Sequence, residues 1–372
     1  MLQNKYQDIV LYITQPTRNI LLTLGAWPSI SSERSINSKI CKFLLIFASY
    51  FLLSFDTIPC LLYCLVEKTM RGRLQTIPFL LYDLMSASQY SIFIFRYSQL
   101  RRCLKHVEED WQNVLSTDTR NIMLKFAKKG KRLATICALF MYSNVFTFRT
   151  VLPLLQERIV ADQNITISLA GYVVVSIVIC ACGLTATFVV HACGQLKIFV
   201  DLLKSLVQKQ WEEEYEMDKR LAEIVEHHIR VRSFLRLVQK TLQEIYLMEI
   251  MVNTITICLM VYFMTMDWQN RSIGVVCMYL LSIMNVTIHI FLFCYTGEQL
   301  TIQADIVATE SCELEWYRLP DKKARNVVLL MLMSTAPTKI SVGNVVDLSF
   351  ETFGNVVKTA GAYFNMLRNV IE

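Results

Sequence analysis

The sequence predicts an all-α integral membrane protein with seven transmembrane helices, a cytoplasmic N-terminus and an extracellular C-terminus. Three observations carry this prediction: an apolar composition, apolar stretches of membrane-spanning length, and basic residues concentrated on one side. Of the 372 residues, 54% are hydrophobic and 18% are charged, whereas a soluble domain carries about 25% charged residues. Because the bilayer core has no water to bind free peptide groups, such apolar stretches must form helices.

Seven apolar stretches define the predicted spans. They are approximately residues 43–66, 76–97, 133–155, 167–190, 246–266, 273–295 and 348–370. Asp56 and Pro59 interrupt the first span. A shorter apolar run, residues 327–333, precedes the last span and stops at Pro337. Since proline cannot continue a helix without losing a hydrogen bond, the seventh helix is predicted to be split.

The basic residues set the predicted orientation. With the N-terminus inside, the cytoplasmic segments contain 28 Lys and Arg residues and the opposite segments contain five. The positive-inside rule therefore places the N-terminus in the cytoplasm. Two glycosylation acceptors, Asn164 and Asn270, fall in the segments that this orientation places outside. A third acceptor, Asn285, lies within the sixth span, where it cannot be modified.

The connection between the fourth and fifth spans is predicted to be helical. Across residues 191–246, apolar residues recur at intervals of three and four among charged ones. This pattern indicates that the two spans extend into the cytoplasm and pack against neighbouring helices. The alternative is a basic amphipathic helix that lies on anionic lipid.

The sequence contains no motif for chemistry. It has no phosphate-binding glycine loop, no metal-ligand spacing and no nucleophile motif, so we expect no enzyme, no cofactor, no metal and no nucleic-acid partner. The 12 cysteines are interpreted as reduced and mostly buried. His289, within the sixth span, is predicted to form a hydrogen bond across helices as a neutral side chain. Asp56 and Asp83 are predicted either to bond backbone or to line a wet cavity.

The outer halves of the spans are rich in aromatic side chains. An apolar pocket with a few polar groups suits a small hydrophobic ligand. For each of these residues, packing against lipid or against other helices is the alternative. The predicted ligand-binding residues are Tyr82, Met85, Tyr142, Phe146, Tyr172 and Tyr279.

The C-terminal third carries the most distinctive motifs. They are the 329–333 run before Pro337, the loop through Gly343, Leu348-Ser349, Phe353-Gly354, the 362–367 run with Tyr363, Gly297-Glu298, and Trp316-Tyr317 with Pro320. Together with the seven-span plan, these motifs resemble insect odorant receptors.

The resemblance implies an odorant-gated, non-selective cation channel of four subunits, built with an odorant receptor co-receptor and gated by a small volatile hydrophobic ligand. A pore lining is implied for Met366, Asn369 and Val370, which share one helix face. Met and Asn depart from the co-receptor pattern of Val, Gln and Leu. The co-receptor's long insertion between spans four and five is absent here, which favours the odorant-tuning subunit.

The resemblance also implies a domain organisation and a location. Residues 1–42 form a cytoplasmic segment, residues 43–295 hold six spans with the ligand pocket in the outer half, residues 296–340 form a cytoplasmic anchor, and residues 348–372 form the pore-lining helix. Subunit contacts are implied for residues 191–246 and 297–337. The implied location is the plasma membrane of a sensory neuron dendrite, as a multi-pass protein.

Two other classes of membrane protein are alternatives to this interpretation of the sequence. A G-protein-coupled receptor needs an extracellular N-terminus, an Asp-Arg-Tyr after span three and an Asn-Pro-x-x-Tyr in span seven, and this sequence has neither motif. A transporter is expected to show inverted repeats or matching broken helices. The G-protein-coupled type of receptor is the alternative that remains.

Overall fold

The computed structural model describes residues 14–28, 36–114, 116–147, 161–208, 214–269, 273–336, 338–343 and 346–371. Its helices, after a short helical segment at residues 14–23, are α1 (Ile36–Val66), α2 (Met70–Phe95), α3 (Tyr97–Gln112), α4 (Thr117–Phe146), α5 (Ala161–Gln208), α6 (Glu214–Gln269), α7 (Ile273–Cys312), α8 (Asp321–Ser334) and α9 (Phe350–Ile371). A 3₁₀ turn (Trp316–Arg318) precedes α8, and two short strands, β1 (Ser341–Val342) and β2 (Val346–Asp347), precede α9.

Each of the seven predicted spans overlaps a different one of these helices over its described residues, so the predicted all-α, seven-span fold is confirmed. The seven helices are α1, α2, α4, α5, α6, α7 and α9. Within the described part of the chain, α1, α5, α6 and α7 are long and apolar enough to cross a membrane by length and composition alone. Charged or polar residues interrupt the apolar stretches of the other three.

The helices extend beyond the predicted span boundaries. The 48 residues of α5 and the 56 residues of α6 exceed the roughly 20 residues that cross a bilayer. Their extensions confirm the predicted helical connection, apart from residues 209–213, which lie outside the described residues. Pro59 interrupts the apolar stretch of the first span but not the helix, because α1 runs through it without a break. Membrane helices tolerate proline where neighbouring groups satisfy the freed backbone.

The core of the bundle is organised around α5. Of the apolar stretch of α5, 89% is buried, against 11% for α1. Helix α5 packs against α1, α2, α4, α6 and α7. By contrast, α1 exposes large apolar side chains such as Phe43, Phe47 and Phe51. In water such a surface would be costly, but a bilayer solvates it.

The seventh predicted span and the apolar run before it form two separate helices, so the split in this region is found as predicted. Helix α8 ends at Ser334, and α9 begins at Phe350 after an antiparallel pairing of β1 with β2. Gly343, in the turn between the strands, has φ 58°, a left-handed conformation that glycine adopts without strain. Pro337 lies outside the described residues.

Candidate functional site

A cavity of about 430 Å³ lies between α1, α2, α4, α5, α6 and α7. Its apolar wall consists of Pro78, Phe79, Tyr82, Met141, Val145, Gly171, Val174, Val175, Met260 and Val286, and its polar side chains are Asp56, Cys60, Asp83, Asn144, Thr256, Ser282 and Asn285. These residues lie near the α1 C-terminus, the α2 N-terminus and the α5 N-terminus. In the predicted orientation this is the outer half of the bundle.

Two polar groups at this cavity lack hydrogen-bond partners. Among the described residues, the buried Thr256 Oγ1 and Asn285 Oδ1 have none. The Asn285 amide donates to the Phe140 carbonyl at 3.4 Å, so only its oxygen is unpaired. A buried polar atom without a partner costs about 1–3 kcal/mol. A ligand that donates a hydrogen bond to these oxygens would recover part of that cost.

The two acidic residues that the sequence placed in the outer halves both border the cavity. Asp56 approaches it from α1, and Asp83 approaches it from α2. The side chain of Asp83 is buried. Both residues line the cavity, which is one of the two predictions made for them.

Of the six predicted ligand-binding residues, Tyr82 lines the cavity. Met85, one turn away on α2, is instead 2% exposed within the apolar core. Phe146, at the end of α4, is 52% exposed. The ligand-binding role of each of these residues stays a prediction.

The remaining three predicted residues lie outside the cavity lining and pack against other side chains. The Tyr142 hydroxyl forms a hydrogen bond with Ser176 Oγ at 2.8 Å, and its ring centroid lies 6.4 Å from that of Tyr172. Tyr279 stacks on Phe263 at 6.4 Å. Their ligand-binding role likewise stays a prediction.

A buried polar layer lies deeper in the bundle. The Glu249 carboxylate on α6 accepts hydrogen bonds from Gln89 Nε2 and Asn253 Nδ2, both at 2.7 Å. His289 Nδ1 lies 3.5 Å from Glu249 Oε2, but neither ring nitrogen forms a hydrogen bond within the described residues. The predicted interhelical hydrogen bond of His289 is therefore not formed. Sequence reasoning missed Gln89, Glu249 and Asn253, although a polar residue inside an apolar span is itself a signal.

A charged cluster joins three helices at the opposite end from the cavity. Asp110 on α3 contacts His106 at 3.2 Å, His191 of α5 at 2.9 Å and the Arg230 guanidinium of α6 at 2.6 Å. Burial opposes ionisation of Asp110, but the hydrogen bonds from His106 and His191 outweigh it and hold the pKa of this carboxyl well below its usual range. These contacts tie α3 to α5 and α6.

Helix α9 packs on the bundle through one stripe. Thr352, Val356 and Ala360, spaced by four residues, are buried, and α9 contacts α6 and α7. Tyr363 and Met366 are 50% and 62% exposed. A single chain therefore leaves much of the apolar surface of α9 uncovered.

The other predicted positions fall where less is described. Asn369 and Val370 lie on α9 with Met366, but their side chains lie outside the described residues. Asn164 lies in the first turn of α5 with its side chain likewise outside them. Asn270 is outside them altogether. Asn285 lines the cavity, consistent with an acceptor that cannot be modified.

Comparison with known proteins gives consistent results. A family model described as 7tm Odorant receptor matches residues 69–361. The chain is 25% identical over 217 residues to Odorant receptor 13a of Drosophila melanogaster, covering 55% of this chain and 51% of that protein. It is 22% identical over 176 residues to Odorant receptor 10 of Aedes albopictus, covering 47% and 44%. These matches thus span about half the length of the relatives.

The fold resembles a solved structure along nearly its whole length. The insect olfactory receptor OR5 from Machilis hrabei, in complex with eugenol, superimposes with a TM-score of 0.84 over 99% of both chains at 15% identity. A second structure of that receptor gives 0.84 over 98% of this chain and 99% of that chain, at 13% identity. At such low identity the likeness shows the fold alone.

Proposed function

Because this chain belongs to the insect odorant receptor family, we propose that it is the odorant-tuning subunit of a ligand-gated, non-selective cation channel built with a co-receptor. The family match extends over residues 69–361, and the seven-helix fold is that of a multi-pass membrane receptor. The proposal goes further than family and fold by assigning a ligand class, a pore and a partner.

The cavity is the observation that carries the proposed ligand class. At about 430 Å³, it falls within the range of small-molecule sites. Its wall is mainly apolar, and the unpaired oxygens of Thr256 and Asn285 supply polar anchors. The proposed ligand is therefore a small, mostly apolar volatile compound with a hydrogen-bond donor, such as an alcohol or a phenol.

The surface of α9 supports the proposed pore. Val357, Tyr363 and Met366 are between 45% and 62% exposed, so this face of α9 is available for contact with another subunit. Packing of this helix beside equivalent helices of other subunits around a central path would cover these residues.

Leu329, Leu332 and Met333 on α8 are exposed as well, which supports a subunit contact in the proposed cytoplasmic anchor. The proposed location is the plasma membrane of a sensory neuron dendrite.

Odorant-evoked currents test the proposal. The chain is expressed with and without a co-receptor, and Val145→Phe is compared with the unaltered receptor. Val145 lines the cavity, so the larger ring should weaken responses to all active ligands, by about tenfold or more in potency. Leu139→Phe is the control, because Leu139 lies on the same helix and is 67% exposed.

Each outcome bears on one part of the proposal. We expect currents only when a co-receptor is present, and a potency loss only for Val145→Phe. If Val145→Phe reaches the surface with normal potency for every ligand, the cavity does not hold the odorant. If the chain responds through G-protein signalling without any co-receptor, the channel assignment fails.

A further inference from the structure

Three buried side chains of types that can ligate a metal meet in the middle of the bundle. Cys137 of α4, Cys182 of α5 and His289 of α7 offer one ligand atom each, and these three atoms lie within 4.8 Å of one another. Ligands of a tetrahedral Zn²⁺ with Zn–S distances of about 2.3 Å are separated by about 3.8 Å. A small side-chain adjustment therefore brings these three atoms to coordination distance.

His289 carries two polar ring nitrogens into the interior of the bundle. Its side chain is 0% exposed, and neither ring nitrogen has a hydrogen-bond partner among the described residues. A buried imidazole in this state loses its hydration without compensation. A metal bond to one ring nitrogen would provide the compensation.

Glu249 lies where it could make the outer contact that metal-bound histidines usually have. Its Oε2 atom lies 3.5 Å from His289 Nδ1, which leaves Nε2 for the metal. Gln89 and Asn253 hold the same carboxylate at 2.7 Å. A carboxylate behind a histidine fixes the tautomer and orientation of the ring.

We propose that Cys137, Cys182 and His289 form a zinc site inside the membrane-spanning bundle. Binding replaces the two thiol protons with the metal, so one Zn²⁺ displaces two H⁺ and the resulting centre of two thiolates and a neutral imidazole carries no net charge. That neutrality suits a site without water, where an isolated ion is costly. The three side chains leave one tetrahedral position for a further ligand.

The site lies directly beneath the ligand cavity. Cys137 is one helical turn from the cavity residue Met141, and His289 is one turn from Asn285. The metal would tie α4, α5 and α7 together at the cavity floor. This inference goes beyond odorant gating and does not depend on it.

Metal content of the purified full-length chain tests the proposal. The protein is prepared in detergent under reducing conditions, supplied with Zn²⁺, dialysed, and analysed for zinc by mass spectrometry. Wild type should retain about one equivalent per chain more than Cys182→Ser or His289→Gln. Cys180→Ser is the matched control, because Cys180 is equally buried on α5, two residues away, and is not part of the cluster.

Two further measurements keep the test decisive. Glu249→Gln should weaken zinc binding about 10- to 100-fold without abolishing it, as expected for an outer contact. Co²⁺ added to wild type should produce thiolate charge-transfer absorption, and this band should vanish in Cys137→Ser; size-exclusion profiles confirm that each variant is folded.

The proposal is overturned if wild type retains no more zinc than folded Cys182→Ser, or if Co²⁺ gives no thiolate band. A Cys137–Cys182 disulfide recovered by thiol mapping from protein prepared without reductant, together with absent metal, would assign the pair to redox chemistry instead. Neither result depends on whether the receptor conducts current, so failure here leaves the proposed function intact.

Discussion

The Glu298 carboxylate accepts a hydrogen bond from the backbone amide of Phe350 at 3.0 Å. This contact joins the lower part of α7 to the first residue of α9. Ser349 Oγ accepts from the Thr352 amide at 3.3 Å, so two of the four amides that a helix start leaves unpaired are satisfied. The negative charge of Glu298 also interacts favourably with the positive end of the α9 helix dipole.

Removing this contact should loosen the start of α9. We expect Glu298→Ala to lower stability by about 1 kcal/mol and to reduce maximal current without changing the order of ligand potencies. Glu298→Gln keeps an acceptor oxygen and should restore most of the loss. Thermal unfolding and whole-cell current measure the two effects. Equal defects in both variants would show that the carboxylate charge, rather than the hydrogen bond, matters.

The neighbouring glycine holds the same junction from the backbone side. A Cβ added at Gly297 would clash with the Leu348 carbonyl oxygen and lie 2.7 Å from Leu348 Cβ. Gly297→Ala should therefore push the α9 junction away and destabilise the chain by about 1–3 kcal/mol. Gly354→Ala, with no atom within 4 Å of the new Cβ, should be neutral or slightly stabilising in the same unfolding assay. A thermally unchanged Gly297→Ala would refute the close approach.

These two residues illustrate what the sequence could and could not predict. Only the family resemblance indicates that Gly297 and Glu298 matter. The residues that they contact, Leu348 and Phe350, lie about 50 positions away in the sequence. Apolar stretches of membrane-spanning length predicted the seven spans, since each stretch is a local feature of the sequence. The length of the α5 and α6 extensions followed from apolar periodicity.

The cavity lining was harder to predict, because periodicity gives a helix face but not the rotation of that face toward its neighbours. On α4 the sequence favoured Tyr142, whereas the cavity receives Met141 and Val145. Adjacent residues differ by about 100° around a helix, so a one-residue error moves the prediction to another wall. The proximity of Cys137 to His289 could not be predicted for another reason, since the two residues are about 150 positions apart in the sequence.

The unpaired oxygen of Thr256 predicts a specific loss of ligand affinity. Thr256→Val keeps the side-chain shape and removes the hydroxyl, so potency should fall about three- to tenfold for ligands that donate a hydrogen bond. Ligands without polar groups should respond as well or better. Thr254→Val is the control, because its hydroxyl donates to the Ile250 carbonyl at 2.6 Å and it does not line the cavity. Dose–response curves for a matched alcohol and alkane decide the matter, and a parallel shift for both would contradict the hydrogen-bond role.

Asp110 predicts a pH-dependent contribution to stability. Its pKa in the folded protein is lowered, so the carboxylate stabilises the fold at pH values above its unfolded pKa of about 3.9, and that contribution is lost as the pH falls further. Asp110→Asn removes the buried carboxylate from Arg230, which keeps its contact with Glu109. This change should cost about 1–3 kcal/mol at pH 7, with a smaller difference from wild type below about pH 4.

Glu109 provides the control for this cluster. It contacts the same Arg230 at 3.2 Å but is 41% exposed, so Glu109→Gln should change stability by less than about 1 kcal/mol. Thermal unfolding in detergent between pH 7 and pH 3.5 compares the two variants. Similar losses for both, or a difference for Asp110→Asn that does not shrink in acid, would show that the charge of Asp110 is not what holds α3 to α5 and α6.

The final prediction concerns the outer end of α9. Met366 is 62% exposed on this helix, and Asn369 follows it at a spacing of three residues, which places the two positions on one helical face. If that face lines the conduction path, Asn369→Lys should reduce cation current or selectivity, and Asn369→Asp should preserve or raise cation preference, because charged rings select the opposite ion.

Phe364→Leu is the control, since Phe364 packs against the buried cluster of Leu259, Tyr262 and Phe263 and should affect permeation less. Reversal potentials under ion substitution measure the effect, which should be partial in a heteromer where co-receptor subunits contribute the remaining positions. An Asn369→Lys receptor that reaches the surface with unchanged conductance and selectivity would exclude this face from the pore.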